Sequence, residues 1–271
     1  MKICPRGDTL MKPSSKDVYR RLMVLKYVIS HSYRNVPVDV MKQNTVNWTV
    51  ADKEDYENVL QKNMEETVSS IKDFGLWKYT TQSEKDFLST YGSNIDGTSQ
   101  MNATWRMEAA VVLMWALNIE NHFPDLNEQA NPERLQKIPI KRIGLFFSDL
   151  KLRPYNEISK MRDIIEAWHW RVNTRRLIQN NYKFEPDENM KKAGINSLDD
   201  IVKMAAKSAY ENGDIKEIMD QDFVLKGIPF RDLGADDFLE ATSIIIERHF
   251  ALNWLCGFAR NNNWDETPTD T

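Results

Sequence analysis

The stretch Trp105-Arg106-Met107-Glu108-Ala109-Ala110-Val111-Val112-Leu113-Met114-Trp115-Ala116-Leu117 decides the fold. From Ala109 to Leu117 every residue is apolar. A surface helix keeps one polar face; a helix that is apolar all round is buried on all sides. This segment is therefore expected at the centre of the molecule, as the fourth helix, beginning near Asn102. Working outward, the other segments carry the one-sided stripes of helices that pack on such a centre. Val18, Leu22, Leu25 and Ile29 recur at helical spacing between Ser15 and Arg34,. Tyr56, Leu60, Met64, Val68 and Ile71 do the same in a second helix, which Thr49 and Asp52 cap at its start and Gly75 closes,.

Ser83 with Asp86 is expected to open a short third helix. Asn131-Pro132-Glu133 starts another short one, with proline in the first helical position. Residues 138–150 fit a helix end or a short extended piece. Asn156 is expected to cap a sixth helix carrying Ile158, Met161, Ile165, Trp168 and Val172 on one face. Residues 181–196 read as a polar connection. Ser197 and Asp200 cap a seventh helix that Gly213 ends, and a last helix runs from about Ala235 to Ala259. The best strand candidate is one very short β-hairpin near residues 222–230. Only 10 glycines and 10 prolines occur in 271 residues, too few for a fold that turns every 8–12 residues or so. The expectation is an all-α, single-domain bundle of about eight helices over residues 15–271, after a flexible lead-in over 1–14.

Bulk composition narrows the function classes. The two cysteines, Cys4 and Cys256, form no CxxC or Cys/His pattern, so neither a structural zinc site nor a disulfide is expected. The N-terminus is charged by Arg6 and shows no apolar signal region,. The uncharged stretch Ala109–Ile119 is far shorter than the roughly 20 residues that cross a bilayer,. A cytoplasmic protein without membrane contact is expected. The net charge is −4, but residues 134–183 hold 12 Lys/Arg against 4 Asp/Glu, a balance of +8 that leaves −12 elsewhere. Either this segment meets an anionic partner or it packs against the acidic remainder of its own chain.

Ionisable and aromatic residues concentrate in four places: Trp105 to Glu108, Glu166 to Arg171, Glu247 to Trp254, and Trp264-Asp265 with Thr269-Asp270-Thr271. The run Trp105-Arg106, Glu108-Ala109, Leu113 and Trp115-Ala116-Leu117 resembles a hallmark of the uncharacterised, mainly bacterial domain-of-unknown-function family 4272. Glu247-Arg248-His249, Ala251 to Leu255, Trp264-Asp265 and Thr269-Asp270-Thr271 resemble its C-terminal pattern. Leu152-Arg153, Glu157-Ile158, Asp163 and His169-Trp170 resemble its middle segment. The resemblance spans about residues 15–271. Ala167 departs from it, because a basic residue is expected there; Arg171 lies one turn on. The resemblance implies a fold and a bacterial cytosolic origin, and no reaction.

Arg106 and Glu108 lie about 200° apart on a helix and cannot pair with each other. Each therefore seeks a partner on another helix. The expected polar cluster is Arg106, Glu108, Asp163, His169, Glu247, Arg248, Asn253, Asp265 and Asp270, with arginines and carboxylates cross-linking the fourth, sixth and last helices and the tail docking on them. Glu166 and His169 have the Glu-x-x-His spacing of di-iron bundles, but it occurs once, so no metal and no cofactor is expected. No nucleophile elbow or phosphate-binding glycine loop is present. Arg171, Arg175 and Arg176 share part of a helix face and are the candidate anion-binding residues. With pI near 5.7, nucleic acid is disfavoured against a protein with an acidic surface. Function by elimination is a non-catalytic, cytosolic, macromolecule-binding protein. The alternative is a small-molecule enzyme or ligand binder with a polar pocket around Glu108, His169, Glu247 and Asn253. A dry, fully paired cluster favours the first, and an open pocket the second.

Overall fold

A computed structural model describes residues 11–37, 48–138 and 151–269. The helices are α1 (Ser15–Arg34), α2 (Val50–Asp73), α3 (Gln82–Leu88), α4 (Gly97–Ala116), α5 (Tyr155–Gln179), α6 (Glu188–Lys192), α7 (Leu198–Glu211) and α8 (Ala235–Leu255). The described chain is predominantly helical, as the stripes predict. Three tiny antiparallel strands, β1 (Ile218–Met219), β2 (Asp222–Leu225) and β3 (Ile228–Pro229), stand in the order β1-β2-β3 between α7 and α8. Val224 faces Pro229 and Leu225 faces Ile228 in the second pair. The expected hairpin is thus present, with one further strand before it.

α4 is central for the reason its sequence gives. Met107 to Ala116 are all buried, Glu108 included. α4 lies against α1 on one side and α8 on the other; α8 packs on α5, and α5 on α7. Fully burying an aliphatic side chain such as Val111, Leu113 or Met114 contributes about 1.5–3 kcal/mol, so this one stretch is a large share of the driving force.

Several boundaries differ from expectation, each for a local reason. α3 begins two residues earlier than Ser83 suggests, because Thr81 and Glu84 form the capping box: the Thr81 hydroxyl accepts the Glu84 N–H at 3.3 Å, and Glu84 accepts the Thr81 N–H at 3.0 Å,. α4 begins at Gly97 rather than Asn102, since Asp96 accepts the N–H groups of Thr98 and Ser99,. At α5, Pro154 stands at the cap position and no side chain caps the helix, so Asn156 is already helical. The 181–196 connection contains α6, capped by Asp187. α8 stops at Leu255 and Gly257 turns left-handed at φ +84°, with the Phe258 N–H donating back to the Asn253 carbonyl,. A Cβ on Gly257 would stand 3.2 Å from the Met11 carbonyl, so the end of the lead-in rests on this turn, and Pro13 is buried there. The expectations for residues 139–150, Cys4, Asp270 and Thr271 lie outside the described residues.

Candidate functional site

The polar residues of α4 and α8 meet as two rungs. In the inner rung, Arg248 donates from Nε to Glu108 Oε2 at 2.8 Å, and its Nη2 stands 2.7 Å from the same oxygen. Neither side chain is exposed at all. The rest of the guanidinium donates to the carbonyls of Pro124 and Asp125, both at 2.8 Å, and of Glu128 at 3.2 Å. Glu108 Oε1 accepts the Ala130 N–H at 2.6 Å. The pair thus binds the 124–130 loop to the α4–α8 seam. Burial pushes the Arg248 guanidinium below its ordinary value, and the Glu108 carboxylate opposes that shift,.

The outer rung joins Arg106 Nη1 to both Glu247 oxygens at 3.2 and 3.0 Å. Burial raises the Glu247 carboxyl, an effect that the Arg106 charge opposes. The Arg106 side chain keeps 30% of its exposure, so water screens this rung. Arg106→Ala is expected to cost about 1 kcal/mol or less, read as a small shift in the urea midpoint.

Arg162 of α5 is a hub. It donates to Asn253 Oδ1 at 2.9 Å and grips Glu166 with two bonds of 2.7 and 2.9 Å. Asn253 passes the connection on, donating to the Pro268 carbonyl at 2.8 Å and so holding the tail. Asp163 is exposed and pairs with Arg162 at 3.0 Å, away from the α4–α8 rungs. Asp265 accepts the Ser83 hydroxyl at 3.0 Å at the surface; it does not reach Arg106 or Arg248.

His169 and His249 meet between α5 and α8, Nδ1 to Nδ1 at 2.9 Å, both buried. One Nδ1 carries the proton and the other accepts it, so the pair is stable only when at least one ring is neutral. His249 Nε2 has no partner among the described residues. Burial first, then the charges of His169 and Arg162, push the His249 pKa from 6.5 down to about 3,. Between these values an unfolded His249 binds a proton that the folded ring refuses. Stability is therefore complete above pH 6.5 and falls as pH drops from there toward 3, with a limiting slope of about 1.4 kcal/mol per pH unit. His31, also lowered by burial, adds to the loss in the same direction. Urea titrations between pH 7 and 5 check this: the parent should weaken on acidification, and His249→Gln should show a shallower dependence.

Glu166 spends both oxygens on Arg162, and no group of three or more metal-ligating side chains occurs among the described residues. Cys256 is buried, and burial pushes its thiol up to about 11, far from a reactive thiolate.

Arg171 and Arg175 of the basic run turn inward rather than forming an anion-binding face. Arg171 Nε and Nη2 grip Asp222 bidentately at 2.7 and 2.6 Å, both residues buried. Arg175 donates to the carbonyls of Phe230 and Leu233, each at 2.6 Å. Only Arg176 of the three is exposed. Arg153, in the same segment, donates to the carbonyls of Trp115, Glu120 and Asn121. Asp222 also accepts the N–H groups of Phe223 and Arg231, at 2.8 and 3.0 Å.

Arg162 and Asp222 stand outside the polar cluster that sequence reasoning expected. The Arg162–Glu166 spacing of four was a visible signal; nothing in the local sequence marks Asp222.

Glu108, His169, Glu247 and Asn253 line none of the described cavities. A cleft of about 300 Å³ opens instead between α5, the 123–127 loop and the end of β2. Phe123, Leu126, Met161, Ile164, Val224 and Leu225 give it apolar walls. Beside it in the chain, Ile218, Met219 and Ile228 stand 38, 41 and 38% exposed. No helix among the described residues is long and apolar enough to cross a membrane.

Comparison with known proteins finds a match over residues 6–192 to the family described as a domain of unknown function (DUF4272). The resemblance noted at Glu247–Leu255 lies beyond that match. No curated protein and no solved structure matches the chain.

Proposed function

Because the chain belongs to DUF4272, a family whose description assigns no reaction, we propose from its side chains that it is a cytosolic, non-catalytic binding protein that receives a protein partner on the apolar cleft beside the small sheet. One observation carries this reading. Four side chains with the chemistry for a reaction are already engaged inside the molecule: Glu108 by Arg248, Glu247 by Arg106, Glu166 by Arg162 and His169 by His249. Groups already paired within the protein are poorly placed to meet a substrate, whereas catalytic acids and bases stand in a cleft. The polar cluster is on this reading a brace that fixes α4, α5 and α8, so that the surface they carry keeps one shape.

The surface itself speaks for a macromolecular ligand. Isolated apolar residues on a surface are ordinary, but an apolar cleft flanked by Ile218, Met219 and Ile228 is a grouped feature of the kind that marks contact sites,. Tiny strands β1 and β3 leave backbone edges beside it, and an extended segment with apolar side chains would fit both.

Photo-crosslinking in cells tests the reading. A benzophenone side chain at Met219 is expected to give one discrete adduct, and the same probe at Val59, exposed on the distant α2, is expected to give none. Ile228→Asp should remove the Met219 adduct. No adduct at Met219, or equal adducts at both positions, overturns the docking site.

A further inference from the structure

The apolar cleft beside the small sheet has a charged rim, and most of that charge is of one sign. Asp125, Asp214 and Glu217 stand on the rim with Lys216 and Lys226. Both lysines already face carboxylates. Lys226 donates to Asp237 at 2.7 Å and to Glu240 at 2.5 Å, so two carboxylates share one ammonium. Lys216 stands 3.9 Å from Asp125. Asp214 and Glu217 make no ion pair or side-chain hydrogen bond with a described residue. On the rim and beside it, five carboxylates meet two ammonium groups. Carboxylates gathered around an apolar opening repel one another, and an arriving cation removes that repulsion.

The surrounding chain carries the same sign. Residues 211–240 hold nine Asp/Glu against three Lys/Arg. Asp222 is spent on Arg171, and the other eight carboxylates are exposed or half-buried. The stretch carries −6, half of the −12 found outside residues 134–183. Arg171 and Arg175 turn inward and leave this excess unanswered. A surface of one sign around a low-dielectric cleft draws in the opposite charge and repels its own. Nucleic acid and anionic lipid carry the wrong sign for this rim, and so does an acidic protein surface. A small organic cation suits the rim but leaves the exposed apolar side chains of Ile218, Met219 and Ile228 uncovered; a peptide segment has the length to cover both.

We infer that the occupant of the cleft is a cationic segment of a partner protein, which seats a large apolar side chain against Met161, Ile164 and Leu225 and sets lysines or arginines against Asp214 and Glu217. The assignment rests on the docking reading above and adds to it the partner's charge and chemistry. The two parts of the surface have separate tasks. Apolar contact in the cleft holds the segment and sets how long it stays. The acidic rim steers the encounter and rejects acidic competitors, so it governs the association rate and its salt dependence.

Selection from a random linear peptide library on the full chain, followed by binding kinetics of the enriched peptides, tests this. The enriched peptides are expected to join large apolar residues to Lys and Arg, and to lose binding to the Ile228→Asp chain. Asp214→Lys together with Glu217→Lys should slow their association at least about tenfold in about 50 mM salt, with dissociation changed less than about threefold, and about 0.5 M salt should remove most of that difference. The urea midpoint should stay at the parent value, since neither carboxylate is bonded to a described residue. Should the pair fold poorly, Glu217→Lys alone, at an exposed position, should slow association about threefold. Peptides that need Ile228 but are acidic or show no charge preference overturn the cationic assignment and leave the docking site standing. Basic peptides whose association ignores the substitutions at Asp214 and Glu217 do the same. No enrichment, or peptides that bind the Ile228→Asp chain as they bind the parent, overturns both.

Discussion

Arg248→Ala is expected to lower folding stability by about 3–5 kcal/mol, the range found when one partner of a buried ion pair is removed. The argument rests on what the substitution leaves behind. Glu108 would remain in an apolar helix, fully buried, with its charge unanswered. The Pro124, Asp125 and Glu128 carbonyls would lose their donor. A domain has only about 5–15 kcal/mol in all, so the variant sits near unfolding at ambient temperature. Arg248→Lys should restore part of the loss and no more, because one ammonium cannot serve a carboxylate and three carbonyls spread around a planar fork. Urea denaturation followed by tryptophan fluorescence reads both values. A midpoint within about 0.5 kcal/mol of the parent, the range of ordinary surface substitutions, would show that the pair does not brace α4 against α8.

Asp222→Ala is expected to have an effect of the same order, about 3–5 kcal/mol, at the other end of the bundle. Asp222 holds Arg171 with two bonds and also accepts two backbone N–H groups. Its loss leaves a buried guanidinium beside Arg175, whose own pKa is already lowered by burial and by the Arg171 charge. Replacing Arg171 by Met in the same chain removes the stranded charge and should recover much of the loss, because similar-sized apolar residues replace buried pairs well. The double variant being no more stable than Asp222→Ala would contradict the charge argument. The proton exchange of β2 amides should rise in the single variant, since Asp222 anchors that strand to α5.

The fold was legible where local chemistry is redundant. Nine consecutive apolar residues at Ala109–Leu117 have one reading as helix, and the position at the centre follows from it. The small hairpin was legible from Phe223 to Phe230 for a similar reason, and the capping boxes at Thr49 and Ser197 agree with their sequence spacing. Boundaries were less legible where signals overlap. Thr81-Glu84 and Ser83-Asp86 both satisfy the capping spacing, and nothing local decides between them; Glu84 also meets Arg21 across the core. The start of α5 had no side-chain signal, because Pro154 stands where a capping residue would.

The site divides along the same line. That Arg106 and Glu108 need partners on other helices follows from helical geometry alone. Which partners they take does not, because Arg248 and Glu108 are separated by 140 positions and only the packed seam brings them together. Asp222 was invisible for this reason: its role comes from Arg171, 51 positions away. The charge asymmetry of residues 134–183 was visible as a number, but its meaning depended on direction. Arg153, Arg171 and Arg175 point into backbone carbonyls and a buried carboxylate.

The claim that the buried cluster is a brace and not a reaction site is tested most directly by a double-mutant cycle on Glu108 and Arg248, using Glu108→Gln, Arg248→Met and the pair together. Residues of a reaction site are commonly neutral or stabilising to replace, because the site trades stability for activity. A brace behaves the other way. The account predicts that each single substitution destabilises by several kcal/mol, with a coupling energy of about 2–3 kcal/mol between them. Single variants as stable as the parent, with a coupling near zero, would contradict it.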